Sequence, residues 1–173
     1  MTRALYATLL AGALLTGCGF QLRGEARLPG FMDQTYLAAG DDTTVFIREL
    51  GLLLEANGVQ RVESPAADAA TLRIESQSMW RQPLSVTGQA RVREFLIVAE
   101  VSWRLEAPDG EAAIESSTLR LTRDYSFDEG EILAAQREEE FLRDELGRAM
   151  ARQLIRRLEA LRPPASADGS TSP

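Results

Sequence analysis

The residues with chemical capability are few in kind: a single cysteine, Cys18, 26 carboxylate side chains, and 19 basic ones that are all arginine, with no histidine and no lysine. Without histidine there is no Ser-His-Asp or Cys-His nucleophile and no histidine-ligated metal. Without lysine there is no Schiff base and no phosphate-loop lysine. One cysteine makes neither an intramolecular disulfide nor a multi-cysteine zinc site. The carboxylates remain as acid–base candidates, densest at Asp128-Glu129 and Glu138-Glu139-Glu140. Adjacent residues on a helix point in different directions, so these do not form the facing pair that glycoside hydrolysis needs. Glu139 with Arg143 and Asp144 with Arg148 read instead as i,i+4 ion pairs. The expectation is a protein that is not an enzyme and takes no metal or other cofactor. A net charge of −7 argues against non-specific nucleic-acid binding.

The arginines are unevenly spread. The eighteen residues between Glu75 and Glu94 contain no acid and carry Arg81, Arg91 and Arg93 among Trp80, Leu84, Val86 and Val92. A guanidinium holds a phosphate through two parallel hydrogen bonds, which an ammonium does not. This stretch therefore reads either as a grip for an amphipathic anion or as solvated arginines in a hairpin, and composition alone leaves both open. A second acid-free stretch, 146–158, carries Arg148, Arg152, Arg156 and Arg157. There the plainer explanation is a solvated helix face whose positive end complements the helix dipole.

Cys18 has a more specific setting. Arg3 is followed by the apolar run 4–15 and then by Leu15-Thr16-Gly17-Cys18. The run is too short for a bilayer-spanning helix, which needs about 20 apolar residues, but it suits a secretory signal. Small residues directly before a lone cysteine resemble a bacterial lipobox, in which the thiol is acylated, palmitate being one such chain, and the cysteine becomes the new N-terminus. Two or more chains, at about 0.8 kcal/mol per buried CH₂, hold a protein at a membrane without help from its folded part. Gly19 rather than an aspartate follows, as in lipoproteins sent to the outer membrane. Cleavage removes Arg3 and no acid, so the net charge moves from −7 to −8.

The elements that must position these residues follow from periodicity. Residues 1–17 are the signal peptide, 18–162 one lipoprotein domain anchored at Cys18, and 163–173 a disordered Pro/Ala/Ser tail. Short strands are expected at 20–23 and 35–38. Asp41-Asp42-Thr43-Thr44 supplies a cap for a helix with Phe46, Leu50, Leu53 and Leu54 on one face, stopped by Asn57-Gly58. Alternation predicts strands over 71–81, 95–106 and 114–127, with Pro108-Asp109-Gly110 turning the last two. Residues 83–92 read as the connection between the first two of these. A final helix over 132–161 carries the stripe Leu142, Leu146, Met150, Leu154, Leu158 and Leu161, with Gly147 as a possible bend. Arg123 shares strand parity with Leu119, Leu121, Tyr125 and Phe127, so it needs a partner, for which Glu94 or Glu100 is the candidate. The fold class expected is α+β: a two-layer sandwich with two helices on one face of a mostly antiparallel four-stranded sheet.

At this point the motifs carry a family resemblance. Cys18-Gly19-Phe20-Gln21-Leu22-Arg23-Gly24 resembles the mature start of the LPS-assembly lipoprotein family, LptE (RlpB). In the same order come Asn57-Gly58-Val59, Gly88 with Glu94-Phe95, Arg123-Asp124-Tyr125-Ser126-Phe127-Asp128, Ile132-Leu133-Ala134, Glu138-Glu139 and Gln153-Leu154-Ile155-Arg156-Arg157-Leu158. The resemblance implies two helices on a four-stranded sheet. It also implies an outer-membrane lipoprotein, facing the periplasm, that plugs the LptD β-barrel translocon, helps it assemble and binds lipopolysaccharide in transit. Lipopolysaccharide contact is implied at the basic hairpin, with Arg91 and Arg93 and their neighbour Arg81, and at a basic residue near the start of the last helix, where Arg137 is nearest. The alternative is a lipoprotein pilot or scaffold for another envelope complex, without a lipid ligand.

Overall fold

Ile97, Ala99, Val101, Trp103 and Leu105 are alternate residues of one strand, and each is at most 1 % exposed. That strand, Val92–Glu106, is central to the computed structural model of the chain, which describes residues 28–89 and 91–161. In chain order the elements are β1 (Gln34–Ala38), α1 (Val45–Ala56), β2 (Gln60–Val62), β3 (Ala70–Val86), β4 (Val92–Glu106), β5 (Ala112–Ser126) and α2 (Ile132–Glu159). Short 3₁₀ turns, Gly30–Met32 and Glu129–Glu131, precede β1 and α2. The strands β3, β4 and β5 form two long antiparallel hairpins, the second closed by a turn with Gly110 at φ +84°. Leu72 faces Leu105 across one ladder and Val101 faces Leu119 across the other, so the apolar parities coincide on one face. Both helices cover that face, giving the expected two-layer α+β sandwich.

The sheet differs in detail from the four antiparallel strands expected. It has five, in the order β2-β1-β3-β4-β5, and is mixed, because β1 runs parallel to both of its neighbours. A parallel pair needs a crossover, and α1 is the crossover between β1 and β2. Gln60-Arg61-Val62 is too short and polar to show alternation, which is why β2 left no signal. The strand candidate at 20–23 lies outside the described residues, as does Cys18.

A second difference concerns residues 83–92. Pro83 to Val86 belong to β3 and continue its pairing with β4, after bulges flanking Ser85. Proline is tolerated where a strand is a sheet edge. β1 reaches only as far as Arg73, so β3 is such an edge from Ile74 onward among the described residues. The connection itself shrinks to a tight turn in which Thr87 N donates to the Arg91 carbonyl, 2.8 Å away.

Arg123 finds its partner on α2. Its Nη2 lies 3.4 Å from Glu145 Oε1. Glu94 and Glu100 have the opposite strand parity; Glu94 accepts from Ser85 and Glu100 sits 3.8 Å from Arg120.

α1 begins at Thr44, whose Oγ1 accepts from Ile47 N at 3.3 Å, and ends at Gly58 with φ +85°. α2 runs unbroken through Gly147. The glycine serves close approach: a Cβ there would sit 3.3 Å from the Phe46 backbone nitrogen and 3.4 Å from Val45 Cβ. From that crossing α1 accompanies only the C-terminal half of α2, with Arg152 beside Glu49. The N-terminal half of α2 covers the far end of the hairpins alone. Gly147→Leu should therefore cost about 2 kcal/mol by forcing the helices apart, read as a lower urea midpoint at unchanged slope.

Candidate functional site

The arginines singled out in the sequence occupy the end of the molecule that α1 does not reach. Arg91, in the turn, and Arg93, on β4, lie at the hairpin tip and border one shallow cavity with Phe127, Asp128 and Glu129. The Arg91 side chain is 66 % exposed and lies 3.5 Å from Glu129. Arg93 is exposed, its carbonyl accepts from Phe127 N at 2.7 Å, and it borders a cleft of about 460 Å³. That cleft also holds Glu94, Asp128, Glu131 and Glu138, so Arg93 is the positive group in an acidic setting. Arg137 is exposed on α2, two residues beyond buried Ala135, hence roughly 200° around the helix and turned away from the sheet. The structure thus gathers Arg91 and Arg93, and sets Arg137 on a different face.

Arg81 is arranged otherwise. It sits on β3 opposite Ile97, on the helix-covered face, and donates from Nη1 to Tyr125 Oη (3.3 Å) and to the Glu139 carboxylate. Tyr125 donates to the same oxygen, Glu139 Oε2, at 2.7 Å. The other oxygen, Oε1, accepts from Arg143 Nε at 2.9 Å and lies 2.8 Å from Nη2, while Arg143 Nη1 reaches the Met79 carbonyl at 3.4 Å. The Arg81 guanidinium lies over the Phe95 ring at 4.6 Å, and Phe95 contacts Tyr125 and Phe127 at centroid distances of 5.8 and 5.2 Å. One carboxylate therefore joins β3, β5 and α2 above an aromatic floor from β4.

These residues were only partly visible in the sequence. The Glu139–Arg143 and Asp144–Arg148 pairs are present as i,i+4 contacts. The longer links from Glu139 to Arg81 and Tyr125 were missed, although Tyr125 has inward parity and an inward tyrosine hydroxyl needs a partner. In the second arginine-rich stretch, Arg157 donates to Ser117 Oγ and the Thr118 carbonyl, at 3.1 and 3.2 Å.

Comparison with known proteins adds to this geometry. Residues 30–158 match the family model described as LptE, lipopolysaccharide-assembly. The chain belongs to the LptE family. It is 27% identical over 149 residues to the LPS-assembly lipoprotein LptE of Photorhabdus laumondii, covering 86% of this chain and 81% of that one. Among solved structures it resembles lipoprotein B from Nitrosomonas europaea, with TM-score 0.68, 27% identity, and coverage of 82% and 91% of the two chains. It also resembles rare lipoprotein B from Shewanella oneidensis, with TM-score 0.65, 26% identity, and coverage of 73% and 94%.

Within this LptE-family domain the Glu139 cluster is electrostatically well set. Burial opposes the charge on Glu139, but hydrogen bonds from Tyr125, Arg143 and Arg81 outweigh it and hold the carboxyl below the usual glutamate range. Burial, then the bond to Glu139, pushes the Tyr125 phenol up. The bond with Tyr125, joined by Glu139 and opposed by desolvation, raises the Arg81 pKa. A carboxyl lowered in the folded state contributes stability that is complete above its unfolded pKa and is lost as pH falls through the folded one. Replacing Glu139 by Gln should cost about 2 kcal/mol near neutrality. That gap should close on acidification from about pH 7 to about pH 3, measured by urea unfolding of both proteins. An unchanged gap would show that the ionised form of Glu139 contributes nothing special.

Proposed function

We propose that this LptE-family protein is an outer-membrane lipoprotein that fills and helps assemble an LptD-like β-barrel translocon and binds lipopolysaccharide on its way to the outer leaflet. The observation that carries the reading is the family match across residues 30–158, nearly the whole of the described domain, with relatives named as LPS-assembly lipoproteins. In this reading residues 1–17 are removed, acylated Cys18 holds the domain at the membrane facing the periplasm, and 163–173 trail as a polar tail.

Arg91 and Arg93, with Arg81 and Arg137, are the side chains we assign to the lipopolysaccharide phosphates. The overall charge of −8 on the mature chain repels such a ligand, but only weakly beyond the Debye length of about 8 Å. Recognition is consequently a contact-range event, governed by the nearest guanidiniums. Among the described residues the Arg91 guanidinium is held only by an exposed ion pair with Glu129, and such pairs contribute about 0–1 kcal/mol. A phosphate making two charge-assisted bonds displaces the carboxylate readily.

Two measurements test the reading. Arg91→Glu combined with Arg93→Glu should weaken lipopolysaccharide binding about tenfold or more, since each like charge at contact range removes a favourable bond and adds a repulsion. Unchanged affinity would remove those two residues from the site. Affinity capture of the lipidated chain from detergent-solubilised outer membranes should bring down a large β-barrel. Recovery of a secretin instead would favour a pilot or scaffold of another complex.

A further inference from the structure

The Arg81 guanidinium has two edges in different circumstances. Nη1 donates to both Tyr125 and Glu139, whereas Nε and Nη2 make no hydrogen bond among the described residues. The Arg81 side chain is 46 % exposed while that of Glu139 is 13 % exposed. The inward edge is thus tied down and the outer edge meets solvent, along a part of β3 that β1 does not reach. The Phe95 ring 4.6 Å beneath fixes the plane of the group. A guanidinium held at one nitrogen and on one face keeps its remaining N–H groups in a constant direction, and a planar fork of that kind matches two oxygens of a phosphate.

We propose that Glu139, supported by Tyr125, is a positioning residue that aims the free edge of Arg81 at a lipid phosphate. This rests on the reading that Arg81 meets lipopolysaccharide, and it assigns a role in binding to a carboxylate that charge alone would set against an anion. The opposition is offset locally. Arg143 occupies the second carboxylate oxygen, so two guanidiniums face one carboxylate and the cluster stays net positive. Preorganisation then works in favour of the ligand, because the arginine does not have to be ordered when the phosphate arrives.

The experiment is a thermodynamic cycle on the full mature chain in detergent, titrated with fluorescently labelled lipopolysaccharide carrying both lipid A phosphates. Four proteins are compared, wild type, Glu139→Gln, Arg81→Ala and the double variant, with Tyr125→Phe as a second way to loosen Arg81. A thermal melt of each reports folding independently. The expected result is that Arg81→Ala weakens binding and that Glu139→Gln weakens it about tenfold, despite removing a negative charge. Tyr125→Phe should act in the same direction, and Glu139→Gln should have no further effect once Arg81 is gone. If Arg81→Ala weakens binding while Glu139→Gln leaves it unchanged or tightens it, the carboxylate only neutralises and the positioning role is wrong. An equal loss from Glu139→Gln with and without Arg81 would place its effect in the fold and equally overturn the proposal. Should Arg81→Ala itself leave the affinity intact, the assignment of Arg81 to the ligand fails, and this inference with it.

Discussion

Both oxygens of the Glu139 carboxylate are occupied, one by Arg81 and Tyr125 and the other by Arg143. The distal half of the molecule depends on that arrangement because little else is available there. The large buried side chains, Trp103, Phe46, Leu50, Leu54, Met150 and Leu154 among them, lie where both helices cover the sheet. Past the Gly147 crossing only α2 remains, and its inward residues are Ala135, Glu139, Leu142 and Arg143. A buried ionic group is weak support by itself, since desolvation offsets much of the attraction. Here the carboxylate is fully hydrogen-bonded, which is the condition under which a polar network gives rigidity at a place where apolar burial is thin.

The same division explains how the chain can be strongly acidic and still present cations. Many of its arginines are engaged internally or along the surface: Arg61 with Glu55, Arg104 with Glu106, Arg120 near Glu100, Arg123 with Glu145. Those pairs leave the overall charge negative but locally quiet. At the hairpin tip Arg91 keeps one exposed pair, with Glu129, and Arg93 borders a cleft lined by carboxylates. Net charge is a poor guide to such a surface; the distance from each guanidinium to its nearest carboxylate says more.

Much of this architecture could be read from the residues. The alternation from Ile97 to Leu105 gave β4, the Thr44 cap and Asn57-Gly58 bounded α1, and the leucine stripe gave α2. What escaped was structure without local periodicity. β2 is three residues long and owes its place to the crossover through α1, while the end of β3 was hidden by Pro83, a residue that marks an edge as readily as a break. The close approach at Gly147 escaped for a related reason, since a propensity scale registers the loss of a side chain but not the neighbouring helix that requires it. At the site, Arg81 was found by counting charges, yet its attachments were not, because Tyr125 and Glu139 lie far along the chain and meet it only through the register of three strands and the packing of α2 on them.

The length of β3 has one more consequence. Its 17 residues, at about 3.3 Å each, make a rigid bar roughly 55 Å long. The chain enters at the β1 end of that bar, and α2 returns its C-terminal end to the start of β5, near Ser117 and Thr118. Entry and exit of the described domain therefore lie towards one end of the bar and the tip arginines at the other. A protein held by its N-terminus would in effect carry a ruler. Shortening both strands by two residues would draw the tip in by about 7 Å with its faces preserved, whereas removing one from each would turn Arg93 to the opposite side. Hairpin length and parity together thus fix how far these side chains lie from the entry of the described domain and which way the strand residue among them faces.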